Sequence, residues 1–77
     1  YEALRSLRME LAKAEGVPAY VVFSNATLAD MAVKRPTDMF DFLDVSGVGE
    51  YKAARYGRAF LEAIQNWESN NLSRGDD

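Results

Sequence analysis

Residues 17–28 read Val17-Pro18-Ala19-Tyr20-Val21-Val22-Phe23-Ser24-Asn25-Ala26-Thr27-Leu28. A Pro turn, an aromatic with a polar tip and a short apolar run stand directly before a helix start. Pro18 fixes its own φ and cannot continue a helix. Connecting loops run over the surface and rarely carry a run such as Tyr20-Val21-Val22-Phe23. The segment is therefore expected to plug into a core and to hold whatever it leaves outside in a fixed place. Val21, Val22 and Phe23 are the expected anchor. Tyr20 is the one member with a hydrogen-bonding and stacking tip.

Helical patterns flank the plug on both sides. Before it, Leu4, Leu7, Leu11 and Ala14 recur at spacings that lay one stripe along a helix. Gly16 and Pro18 stop that helix. After it, Asn25 or Ser24 can cap a helix holding Leu28, Met31 and Ala32. Lys34 and Arg35 suit its C-terminal dipole and Pro36 closes it. Thr37 is the expected cap of a third, short helix, with Asp38 and Asp41 in its first turn and Phe40 and Leu43 facing one way.

Asp44-Val45-Ser46-Gly47-Val48-Gly49 then reads as a tight turn that leaves backbone N–H groups bare at the next helix start. The last helix is expected from about Glu50 to Trp67. At about 100° per residue, Ala53, Ala54, Tyr56, Phe60, Leu61, Ile64 and Trp67 form its core side. Tyr51, Lys52, Arg55 and Arg58 lie opposite, with Gly57 a candidate bend. The fold class is all-α, a compact bundle of four or five short helices with no credible strand. Residues 1–69 form the domain and polar residues 70–77 a flexible C-terminal tail. A chain starting at Tyr1 rather than Met is expected to be a piece of a longer protein.

The 77 residues are 48% hydrophobic, enough for a core but near the small end of what folds alone. There is no Cys and no His. That removes disulfides, thiolate metal sites and the commonest general base. No cofactor or metal is expected. Asp38, Asp41 and Asp44 match no Ca²⁺ loop, and no nucleophile–base pair supports an enzyme. There is neither a signal peptide nor a membrane-length apolar run, and the missing Cys suits a cytoplasmic protein. A net charge of −3 argues against strong nonspecific nucleic-acid binding. The distribution is uneven: residues 36–50 carry four acids and no base, whereas residues 51–60 carry three bases and no acid.

The plug, the Ser46-Gly47-Val48-Gly49 turn and the following Lys52-Ala53-Ala54-Arg55-Tyr56-Gly57 together resemble the HRDC domain (helicase and RNase D C-terminal). The resemblance covers about residues 3–68, and the wording of residues 17–28 is similar to the RecQ helicase branch in particular. It implies a bundle of about five helices, related to helix-hairpin-helix bundles, and a monomeric accessory module without catalysis of its own. It further implies a place beside the helicase core of the same chain and binding to single-stranded or junction DNA, in a bacterial, nucleoid-associated protein. The sequence departs from the family where Ala19 replaces a frequent Pro, where Tyr51 replaces something smaller, and in its acidity.

Candidate nucleic-acid contacts follow. Tyr20 can stack on a base, and the resemblance ties this Tyr to single-strand binding. Lys52, Arg55 and Arg58 can meet phosphates, with Arg8 and Lys34 extending the patch and the turn N–H groups offering another anion site. The bland alternatives are a solvated helix face, with Arg58 paired to Glu62, and a dipole partner at Lys34. Tyr51, a large aromatic on a polar face, is a candidate protein contact, while Trp67 is expected as a core lid. A competing reading makes the chain an acidic protein-interaction module that docks through Tyr51 and residues 38–50 and binds no DNA.

Overall fold

The computed structural model describes residues 1–75, with side chains described through Ser69. The side chains of the expected tail, 70–77, lie outside the described residues. Five helices and no strand occur among the described residues: α1 (Glu2–Glu15), α2 (Ala19–Val22), α3 (Asn25–Lys34), α4 (Met39–Phe42) and α5 (Glu50–Gly75).

α1 ends as expected at Gly16, whose positive φ of 69° lets the chain turn back. Gly16 and Val17 N–H groups bond the Lys13 and Ala12 carbonyls. Its buried face differs from the leucine stripe. Leu4, Arg8 and Ala12 are buried, Leu7 and Leu11 half-buried, and Ala14 exposed. The helical period explains the shift, because Leu4, Arg8 and Ala12 rise one above another at i, i+4 and i+8. The leucines cover only one side of the buried arc, and the stem of Arg8 covers the other.

α2 is the plug, wound into a single turn. Val22 and Phe23 are buried at 0% and 1% exposure, whereas Val21 stands at 38%. The anchor is therefore Val22 and Phe23, without Val21. Phe23 is the hub of the core. Its ring meets Phe42, Tyr56 and Phe60 edge-to-face, with centroids 6.1, 5.8 and 5.2 Å away.

Ser24 caps α3, its hydroxyl accepting from the Thr27 N–H. The cap of α4 is Asp38 rather than Thr37: Asp38 Oδ1 accepts from the Asp41 N–H at 2.8 Å, and Thr37 instead donates to the Asp41 carboxylate. The core-facing residue of α4 is also corrected. Phe42 is fully buried, Phe40 is 81% exposed and Leu43 39%. Phe40 and Phe42 sit about 200° apart on one turn, so only one of them can enter the core.

At the turn before α5, Gly47 has φ 85°, and a methyl there would sit on the Thr27 hydroxyl. Only glycine meets both conditions. α5 runs unbroken through Gly57. A Cβ at Gly57 would lie 2.8 Å from the Met39 thioether, so the glycine admits α4 rather than breaking α5. Ala53, Tyr56, Phe60 and Ile64 are buried as expected, but Ala54 is exposed. Trp67 is no lid. It is 40% exposed, beneath the Arg35 guanidinium at 4.9 Å, beside a groove of about 210 Å³.

Candidate nucleic-acid interface

α2 and the first turns of α5 meet at Phe23. The Lys52 ammonium lies 5.8 Å from the Phe23 ring centroid, half covered by the residue on which α2 closes. Tyr20 precedes Phe23 by three residues and stands 70% exposed. Since Val22 and Phe23 are locked in the core, the short backbone between them and Pro18 holds Tyr20 outward. Tyr51, beside Lys52, is 74% exposed, as its place on the polar side requires.

Arg55 occupies the next turn of the same face but is already engaged. Its Nε donates to Glu15 Oε2 at 3.0 Å, and the Tyr56 hydroxyl donates to Glu15 Oε1 at 2.7 Å. The Tyr56 hydroxyl holds the Glu15 carboxyl below the ordinary glutamate range. Arg55 adds to this and partial burial opposes it. The same bond to Glu15 raises the Tyr56 phenol, helped by burial. Glu15 was not legible as a site residue. The signal for it is its spacing, one heptad after Arg8 and thus on the same face of α1. Arg58 is exposed, and among the described residues no ion pair joins it to Glu62.

Two expected phosphate contacts are built into the fold instead. Arg8 is 8% exposed, and its guanidinium donates to the Phe23 carbonyl at 3.0 Å, while its Nε has no partner among the described residues. It fastens α1 to the end of the plug and cannot reach a phosphate. Lys34 binds Asp30 at 3.0 Å and the Asp44 carbonyl at 2.8 Å, stapling α3 to the turn before α5.

The turn itself differs from a bare anion site. The Asp30 carboxylate accepts the Ser46 N–H at 2.8 Å, a bond that lowers its pKa more than Lys34 does. With Asp44 and Glu50 close in sequence, the turn carries negative charge where a phosphate was expected. Tyr51, Lys52 and Arg55 thus lie on the polar side of α5, with Lys52 over the Phe23 ring, and Tyr20 stands exposed three residues before Phe23. Arg58 is one turn further along α5, Arg8 is buried, and Lys34 is exposed but holds Asp30 and the Asp44 carbonyl.

The model of the HRDC domain family matches residues 1–64. The ATP-dependent DNA helicase RecQ of Bacillus subtilis is 49% identical over 65 residues, which make up 84% of this chain and 11% of that protein. The protein of the same name from Haemophilus influenzae is 42% identical over 84% of this chain and 10% of its own length. ATP-dependent DNA helicase UvrD2 of Mycobacterium tuberculosis is 39% identical over 80% of this chain and 9% of its own length. The chain therefore spans about a tenth of the curated relatives it matches. Among solved structures, D. radiodurans RecQ HRDC domain 3 superposes with a TM-score of 0.82 at 45% identity, over 84% of this chain and 86% of that one. A plug anchored by Val22 and Phe23, five helices in this order and these matches together make the chain a member of the HRDC domain family.

Proposed function

We propose that this chain is the non-catalytic accessory domain of a RecQ-type DNA helicase, and that it binds single-stranded DNA weakly to tune which structures the motor engages. The observation that carries the reading is Tyr20. Its aromatic ring is 70% exposed, three residues before the buried Phe23 over whose ring the Lys52 ammonium lies, which leaves it available to a base. Base–aromatic stacking contributes roughly 1–3 kcal/mol per base. Lys52, Arg55 and Arg58 supply phosphate contacts along the α5 face. Glu15 tempers that face by neutralising part of Arg55, in keeping with weak binding. The relatives' names support a helicase motor as the neighbour of this domain in a longer protein; in the same reading the protein is nucleoid-associated and the domain monomeric.

The test is a titration of a fluorescent single-stranded oligonucleotide at low salt. Saturable binding is expected, weakened about tenfold by Tyr20→Ala. Three phosphate contacts at about 0.7 each predict a log–log salt slope of about −2. Absence of saturable binding, or a Tyr20→Ala variant that binds like the parent, overturns the proposal.

A further inference from the structure

α4 presents apolar side chains that the fold uses only in part: Met39 rests against Gly57 of α5, whereas Phe40 does not enter the core. Phe40 is 81% exposed, and Met39 and Leu43, its neighbours on that turn, stand at 38% and 39%. Nothing in the packing demands an aromatic at Phe40, since Phe42 and Val45 already fill the core side. A polar residue would serve α4 equally well.

The sequence around Phe40 is acidic, with Lys34 bordering the hollow that Asp41 and Asp44 line and donating to the Asp44 carbonyl. Asp38, Asp41 and Asp44 flank it, and residues 36–50 contain no Lys or Arg. Among the described residues none of these three carboxylates has a cation. Asp38 is occupied by a backbone N–H, Asp41 by the Thr37 hydroxyl, and the nearby Lys34 pairs with Asp30. An exposed aromatic flanked by three carboxylates that have no ion pair among the described residues is complementary to a basic surface with an apolar recess. Nucleic acid is disfavoured there by charge.

The face is also separate from the α2–α5 corner. α4 packs on α5 at Gly57, which lies about 160° round the helix from Arg55 at 100° per residue. A ligand at one face leaves the other open.

We propose that Phe40, with Met39 and Leu43, is a protein-docking site for a basic amphipathic helix, whose apolar stripe takes the Phe40 ring and whose Lys and Arg residues meet Asp38, Asp41 and Asp44. The site is independent of the DNA-binding reading and goes beyond it. A helical peptide of leucines and lysines is the probe, titrated against the full chain by fluorescence anisotropy. A second peptide, with every leucine replaced by glutamine, has the same charge and no stripe. The leucine peptide is expected to bind, about tenfold more weakly to Phe40→Ser, and less tightly to Asp44→Asn, whose side chain makes no bond that holds the fold. Phe40→Ser is expected to leave oligonucleotide binding unchanged. The proposal is overturned if Phe40→Ser binds the leucine peptide like the parent, or if the glutamine peptide binds equally well. Either result reduces the site to diffuse charge attraction.

Discussion

α2 and α4 are the same device used twice. Each is a single turn of four residues. Each delivers one phenylalanine to the centre of the core, Phe23 or Phe42, and each turns another aromatic outward, Tyr20 at 70% exposure and Phe40 at 81%. The inward rings touch each other edge-to-face. The outward rings differ in chemistry and in company. Tyr20 has a hydroxyl and leads into Phe23, over whose ring Lys52 lies, whereas Phe40 has none and is flanked in sequence by three aspartates. One construction thus presents two aromatic contacts on a small acidic domain, one suited to a polyanion and the other to a cationic partner.

The inward half of the comparison is the easier to break. Phe23 has three ring partners and the Lys52 ammonium over its face. Phe42 has one ring partner among the described residues, together with the edge of the Gly57 notch. Phe23→Ala is expected to cost about 3–5 kcal/mol, with Phe42→Ala toward the lower end of that range. Against the marginal stability of a small domain, Phe23→Ala should unfold much of the population at physiological temperature. Urea denaturation of both variants checks the order. A larger loss for Phe42→Ala would make α4, not the plug, the keystone.

Arg8 comes next, because it fastens the end of α2 and has no counterpart at α4. Arg8→Met keeps the aliphatic stem and strands the Phe23 carbonyl. The cost is expected at about 1–3 kcal/mol, with some offset from removing a buried charge that has no counter-ion among the described residues. The midpoint of unfolding should fall while the salt slope of oligonucleotide binding stays as it was. A changed slope would return Arg8 to the DNA surface.

Glu15 ties α1 to the far side of the same corner, and its effect is read against pH. Its folded pKa is lowered by Tyr56 and then Arg55. A carboxyl with a depressed folded pKa stabilises the fold above its unfolded value, and that stabilisation is lost as pH falls through the folded value. Asp30, lowered chiefly by the Ser46 N–H, acts in the same direction. Thermal stability is therefore expected to decline below about pH 4. Glu15→Gln should lower stability at neutral pH and flatten part of that decline. Tyr56, raised by Glu15, has the opposite sign: its contribution holds below the ordinary phenol range and is lost as pH rises through the folded value. If Glu15→Gln melts on acidification as steeply as the parent, the bonds from Tyr56 and Arg55 do not hold in solution.

The fold was legible because its signals are local. Ser24 precedes an apolar helix, Gly16 and Pro18 end one, and Val22-Phe23 has nowhere to go but inward. The errors have one common source. Periodicity tells which residues share a face but not how wide the buried arc is. Arg8 falls outside the leucine stripe and reads as surface, and Trp67 falls inside the core sector and reads as a lid. Tertiary partners decided both, through the Phe23 carbonyl and the Arg35 guanidinium. The choice of Phe42 over Phe40 likewise needed the Gly57 notch, which is a property of two elements meeting. For the site, exposure of Tyr51 could be read from its place on the polar side of α5, whereas that of Tyr20 followed from the family resemblance and not from its pattern. The engagement of Arg55 by Glu15, forty residues apart, could not.

The smallest effect tests the outward half of the comparison most sharply. Tyr20→Ser and Phe40→Ser replace aromatics that are mostly in solvent, and each is expected to change stability by no more than about 0.5 kcal/mol. The two should nonetheless separate completely by ligand, with Tyr20→Ser weakening the oligonucleotide and Phe40→Ser the basic peptide. Stability therefore serves as the control that gives the binding data meaning. If Phe40→Ser destabilises the domain as much as a core truncation, the ring is holding α4 down rather than waiting for a partner. The two turns would then be alike only in outline, with Tyr20 alone left as an aromatic that the fold can spare for function.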